Sequence, residues 1–211
     1  NPEAPKGSYR YGMIPCVTNP DLPQEGFAQI PVLGWGTLMI FNQTNDLELL
    51  DEALPYLDAY FTWYDTERDV DNDGLIEYGA YKRISIGDMV QTARFETFDF
   101  HATLDNLKLT KHPTRGTGGE WYGTIEGADQ TSFLAISERA MIEMCQRTGR
   151  TAMKKKYEQR LAKRTKAIRE KMWDPKTKFF YSLDRDSDEK IMIRTIQGFL
   201  PMTAGMATEK Q

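Results

Sequence analysis

Between Leu47 and Tyr64, large apolar side chains return every third or fourth residue: Leu47, Leu50, Leu54, Leu57, Phe61 and Tyr64. That spacing is one face of an amphipathic helix. Asn45 or Asp46 stands at the position of an N-cap. Pro55 sits inside the stripe and predicts a kink or a break there. The helical period returns from Ala128, where Phe133, Ile136, Ala140, Met141, Met144 and Cys145 share a face and Gly149 supplies the stop. A further helix is expected from about Thr151 to Met172, with Tyr157, Leu161 and Ile168 turned inward. A looser stripe, Ile30, Leu33, Leu38 and Phe41, surrounds Gly34-Trp35-Gly36, whose glycines let another backbone or a ligand come close. Residues 1–22 read as an extended, Pro-containing lead-in, and Thr114 to Gly119 as a loop. Little of the chain reads as strand. The expectation is an all-α fold of antiparallel helix pairs, with residues 1–211 forming part of a single domain.

Charge narrows the partners. Lys plus Arg number 27 against 31 Asp plus Glu, a net charge of -4. A generic nucleic-acid or anionic-membrane binder is basic, so neither is expected as a partner. Lys154-Lys155-Lys156 with Arg160, Lys163 and Arg164 therefore reads as a solvated helix face. No apolar run approaches the roughly 20 residues that span a bilayer. The first residues carry no signal-peptide pattern, and the chain lacks an initiator Met, so the compartment stays open. Two cysteines, Cys16 and Cys145, do not make a disulfide scaffold.

One loop carries a ligand pattern. In Asp69-Val70-Asp71-Asn72-Asp73-Gly74-Leu75-Ile76-Glu77, carboxylates at alternate positions converge on one point and Gly74 permits the sharp turn. Leu75 can offer its carbonyl, and Glu77 can reach back. Oxygen-only ligation of this kind suits calcium in a structural role. The twelfth position is Ala80 instead of the Glu of a full EF-hand, so a further ligand must come from elsewhere.

Five segments together resemble the catalytic domain of glycoside hydrolase family 63 and its trehalase-like relatives. They are Gln29 to Trp35; Trp63 with Arg68 to Gly79; Ala93 to Asp99; Glu126 to Thr131; and Trp173 to Tyr181 with Gly198 to Thr208. The resemblance implies an (α/α)6 toroid-type barrel and an inverting glycosidase acting on α-glucosidic or α-mannosidic bonds. The substrate would be an oligosaccharide or a small glycoside. Such chemistry needs two carboxyl groups across the scissile bond. Carried over, the general acid is Asp99, with Glu96 beside it. Phe98 stands where relatives have Gly and the Glu-to-Asp spacing is three instead of four, so Asp88 and Asp105 are fallback candidates. The family's general base lies further toward the C-terminus, and no residue here is assigned to it. Trp35, Trp63, Trp121 and Tyr122 are candidates to stack on sugar rings, and Arg94 to fix a hydroxyl or carboxylate. The resemblance also makes Glu126 a further ligand beside Asp69, Asp71, Asp73, Leu75 and Glu77.

Two other functions compete. A non-catalytic helical protein that binds carbohydrate and is stabilised by calcium would share the helices and the acidic loop. A sugar epimerase on the same barrel would rely on histidine, and the chain has only His101 and His112. Length bears on all three. Twelve helices of about 11–12 residues plus long loops exceed 211 residues, so an incomplete barrel is expected.

Overall fold

The structure is a computed structural model that describes residues 11–14, 28–80, 109–111 and 121–211. Two helices open it: α1 (Leu33–Thr44) and α2 (Leu47–Glu67). Asn45 turns the chain between them in the left-handed conformation, with φ 53°. Asp46 is the N-cap, and its Oδ1 accepts from the Leu49 N–H at 3.1 Å. The predicted break at Pro55 does not occur; α2 runs through it. Proline has no N–H, so the Asp51 carbonyl loses its helical donor. Arg150 replaces that donor, its Nη2 lying 3.3 Å from the Asp51 carbonyl and 2.9 Å from Asp51 Oδ1.

The second pair is α3 (Ala128–Arg147) and α4 (Thr151–Ala167), turned at Gly149 with φ 70°. Most of α3 is buried, whereas α4 buries only Tyr157, Arg164 and Ala167. So α3 is an inner helix and α4 an outer one. The first core joins Leu50, Leu54 and Phe61 of α2 to Leu134, Met141 and Met144 of α3 and Tyr157 of α4. Gly34 lets α1 close on α3: an added Cβ would meet the Ser137 carbonyl at 3.0 Å.

Outer helices α2 and α4 lie side by side in parallel. Asp51 meets Arg150, Asp58 meets Tyr157, and Asp65 meets Arg164. Each of these partners lies 99 residues further on, so the two helices advance together in steps of seven, two turns at a time.

The sequence predicts one helix to Met172, but α4 ends at Ala167 and a π-helical turn, Ile168–Met172, follows. After it come the hairpin β4 (Trp173–Asp174) and β5 (Phe179–Phe180), then β6 (Leu183–Asp184) and β7 (Glu189–Lys190). A 3-10 turn (Ile196–Phe199) leads into a short helix, α5 (Leu200–Thr203).

A five-stranded antiparallel sheet is the main departure from the helical expectation. It contains β1 (Glu77–Ala80), β2 (Leu109–Lys111) and β3 (Trp121–Glu126) with β6 and β7. β1 pairs with one edge of β3, while β2 and β6 share the other. The register sets Glu77 opposite Glu126. A second core, with Leu75, Ala135, Ile168, Met172, Phe180, Leu183 and Met206, packs between sheet and helices.

Gly198 marks the tightest approach in this region. A Cβ there would collide with the Phe179 ring and the Phe180 carbonyl. Gly198→Ala is expected to cost about 1–3 kcal/mol through overpacking, read as a lowered melting temperature.

Candidate functional site

Helix α2 delivers the chain into the acidic loop, and the sheet takes it out. The loop closes on itself where the Glu77 N–H donates to the Arg68 carbonyl at 2.8 Å. Inside it, Asp69 Oδ1 accepts from the Gly74 N–H at 3.1 Å, and Asp73 Oδ1 from the Leu75 N–H at 2.7 Å. Asn72 and Gly74 hold positive φ of 59° and 102°, which lets the chain turn sharply. The exit is strapped to the start of α3. The Gly127 N–H donates to the Ile76 carbonyl, and the Ile76 N–H to Thr131 Oγ1.

Two carboxylate triplets result. Oxygens of Asp69, Asp71 and Asp73 lie within 4.8 Å of one another, and so do those of Asp71, Glu77 and Glu126. Oxygens bound to one calcium at 2.3–2.6 Å are separated by up to about 5 Å, so each triplet is of a size to hold a hard cation. Glu126 comes from the end of β3, far away in sequence, and is fully buried. Among the described residues, neither of its carboxylate oxygens has a hydrogen-bond donor. Directly opposed like charges in a sheet are destabilising, yet Glu77 and Glu126 face each other.

The electrostatics follow. Burial, with repulsion from Asp73, Glu77 and Asp71, pushes the Glu126 carboxyl up to about 9. Glu77 is raised well above its ordinary value by burial and then by Asp71. Burial also raises Asp69, and burial with Asp73 raises Asp71. Cations pair with the loop's carboxylates. Lys163 Nζ lies 3.1 Å from Asp69 Oδ2, Lys171 Nζ 2.7 Å from Asp73 Oδ2, and Arg185 Nη1 3.8 Å from Glu77 Oε1.

Beneath the loop lies a buried charge cluster. Arg164 is 2% exposed. Its Nε donates to Glu138 Oε1 at 2.9 Å, its Nη1 to the Gly74 carbonyl at 2.9 Å, and its Nη2 to Asp65 Oδ1. Arg160 joins Glu138 and Asp65 from the preceding turn. This corrects the reading of the basic stretch as a solvated face. Arg160 and Arg164 point inward to carboxylates, and Lys156 pairs with Asp58. A second buried group ties loop, α3 and C-terminal segment together: the Tyr78 hydroxyl and Gln197 Nε2 both donate to Asp129.

The other expected site residues divide. Trp35 lies on α1, half exposed, with ring surface available to a ligand. Trp63 is 3% exposed and packs in the core against Tyr64, with the Arg68 guanidinium 4.7 Å from its ring centroid. Burial leaves little of the Trp63 ring exposed. Trp121 and Tyr122 fall in β3 and pair with β1 and β2. Asp99, Glu96 and Arg94, with Asp88, Asp105, His101 and His112, lie outside the described residues. Sequence reasoning missed Lys163, Lys171 and Arg164 as partners of the loop. Their only signal was placement on one helix after the loop, and nothing local reports a contact 90 or more residues away.

Comparison with known proteins fits this architecture. Three solved structures of glycoside hydrolase family 63 mannosylglycerate hydrolase from Thermus thermophilus are similar. The complex with glucose aligns at TM-score 0.63 and 16% identity, that with Tris at 0.66 and 14%, and that with Tris and D-glycerate at 0.62 and 16%. Each alignment covers 93% of this chain and 56–58% of the other, so the chain spans little more than half their length. The paired helices are thus part of the (α/α)6 fold. A model of the mannosylglycerate hydrolase MGH1-like glycoside hydrolase domain matches residues 6–211. The chain belongs to that domain family.

Proposed function

We propose that this protein is a glycosidase that hydrolyses a small α-hexosyl glycerate of the mannosylglycerate type, with inversion at the anomeric carbon. The observation that carries the reading is the match to the family domain over residues 6–211. Solved structures of similar fold hold glucose or D-glycerate, the two halves of such a substrate. Asp99 is the proposed general acid and Glu96 its neighbour, with Arg94 on the glycerate carboxylate or a hydroxyl. Trp35, Trp121 and Tyr122 are the proposed sugar contacts. The general base is assigned to none of these residues.

The test offers the full-length protein mannosylglycerate, glucosylglycerate and an aryl α-glucoside, and follows the released hexose by NMR. Hydrolysis of a hexosyl glycerate with first appearance of the β-anomer is the expected result. First appearance of the α-anomer would remove inversion. No hydrolysis of any substrate would favour a non-catalytic, calcium-stabilised carbohydrate binder.

We also infer that the acidic loop holds calcium through Asp69, Asp71, Asp73, Glu77 and Glu126, with the Leu75 carbonyl as a further ligand. The donor set is all oxygen, and the orphaned, buried Glu126 carboxylate has the coordination to give. When bound, the ion would neutralise the opposed Glu77 and Glu126 and pin the loop, leaving the hydrolytic chemistry to other residues. Glu126→Gln separates the two states of the site. In chelator near neutral pH, the variant is expected to melt above wild type, because the amide avoids the cost of taking up a proton to bury the Glu126 carboxyl. With calcium at 100 times its dissociation constant, wild type should gain about 2.7 kcal/mol. For a domain of this size that is about 5–10 °C, and most of the gain should be missing in the variant.

A further inference from the structure

Lys171 sits where no straight α-helix would put it. The π-helical turn Ile168–Met172 offsets the end of α4 by one residue, and such bulges commonly re-aim a side chain at a functional site. Its ammonium lies 2.7 Å from Asp73 Oδ2 and 2.8 Å from Asp188 Oδ1. Asp188 belongs to the β6–β7 turn, where it holds φ 54° and its side chain is 63% exposed. Asp73 is a member of the first carboxylate triplet, and its side chain is 16% exposed. The lysine therefore bridges an inner acceptor, which a cation would need, and an outer one, which it would not.

We propose that Lys171 is a tethered competitor of the divalent cation. It holds Asp73 when the loop is empty and moves fully onto Asp188 when the ion arrives. The inference rests on the calcium reading above and adds a regulatory part to that site. The buried, donor-less Glu126 carboxylate opposite Glu77 is the separate observation that the loop awaits a ligand. An ammonium carries one charge and a calcium ion two, so Lys171 neutralises the empty loop only in part and yields to the ion. Its cost is a weaker site, because each calcium must displace it from Asp73. Asp188 lowers that cost by giving the displaced ammonium a partner.

The experiment is calcium titration of the chelator-treated full chain by isothermal calorimetry, with the melting temperature measured at both ends. Lys171→Met should bind calcium about tenfold more tightly or better, since ligand charge tunes such sites over decades. Its metal-free form should melt below wild type. Asp188→Asn, a change at an exposed turn, should weaken calcium binding, because the lysine is left with Asp73 alone. Lys176→Met, on an exposed turn residue, controls for net charge and should match wild type. Equal or weaker affinity in Lys171→Met overturns the competition, as does tighter binding in Asp188→Asn. If calcium binds wild type and Lys171→Met alike, the competition fails and the calcium site stands. If calcium binds neither protein, both fail together.

Discussion

Turnover of a hexosyl glycerate is expected to fall about 10²- to 10⁴-fold in Asp99→Asn, the usual worth of a positioned general acid. The amide keeps the shape and the hydrogen-bonding reach of the side chain. It removes the proton that must pass to the departing oxygen. The glycerate hydroxyl is a poor leaving group and needs that proton, whereas a nitrophenolate needs it much less. The deficit should therefore be large with mannosylglycerate and small with a nitrophenyl α-mannoside. Michaelis constants should move little, since ground-state contacts remain. An equal deficit on both substrates would assign Asp99 a structural part, and an unchanged rate would return the acid to Asp88 or Asp105.

The second large effect concerns stability. Arg164→Met should cost about 3–5 kcal/mol, the penalty for breaking a buried ion pair from one side. At this chain length that is a fall of roughly 6–20 °C in melting temperature. The guanidinium satisfies three acceptors at once, Glu138, Asp65 and the Gly74 carbonyl. Methionine fills the space of the stem and leaves all three without that donor. Glu138 is fully buried, and among the described residues Arg160 is the cation that remains beside it. Adding Glu138→Leu should restore part of the loss, because the stranded carboxylate goes with its partner. If the double variant is no more stable than the single one, the cost lies in packing and not in charge.

The helices were legible because each buries one stripe, and a stripe is a local pattern. Leu50, Leu54 and Phe61 announce α2, and Asp46 caps it as its position foretells. Pro55 shows the limit of local reading. Its missing N–H is a fact of sequence, but the guanidinium that answers for it comes from Arg150, 99 residues after Asp51. The π-turn left no trace because Ile168 and Met172 suit an α-helical period well enough to hide a one-residue offset. The sheet was missed although Trp121, Tyr122, Thr124 and Ile125 are strand formers. Gly123 interrupts them, and β1, β2 and β6 pair from distant parts of the chain. At the candidate site, the Asp spacing and Gly74 could be read directly. Glu126 came only through family resemblance, because its tie to the loop is a cross-strand register. The burial of Trp63 was not legible, because an aromatic beside a binding motif looks the same in sequence whether its ring is exposed or lies under an arginine.

The parallel pairing of α2 with α4 has a temporal side. The three ties that set the register of that seam join residues 99 apart. At about 5–20 residues per second of synthesis, α2 leaves the ribosome roughly 5–20 s before the partners of Asp51, Asp58 and Asp65 exist. During that interval its outer face has only water for company, and water suits those carboxylates. Apolar residues on the same face would have been exposed to aggregation for as long. A seam closed by charge tolerates a late partner, and the contacts of highest sequence separation are those expected to form last.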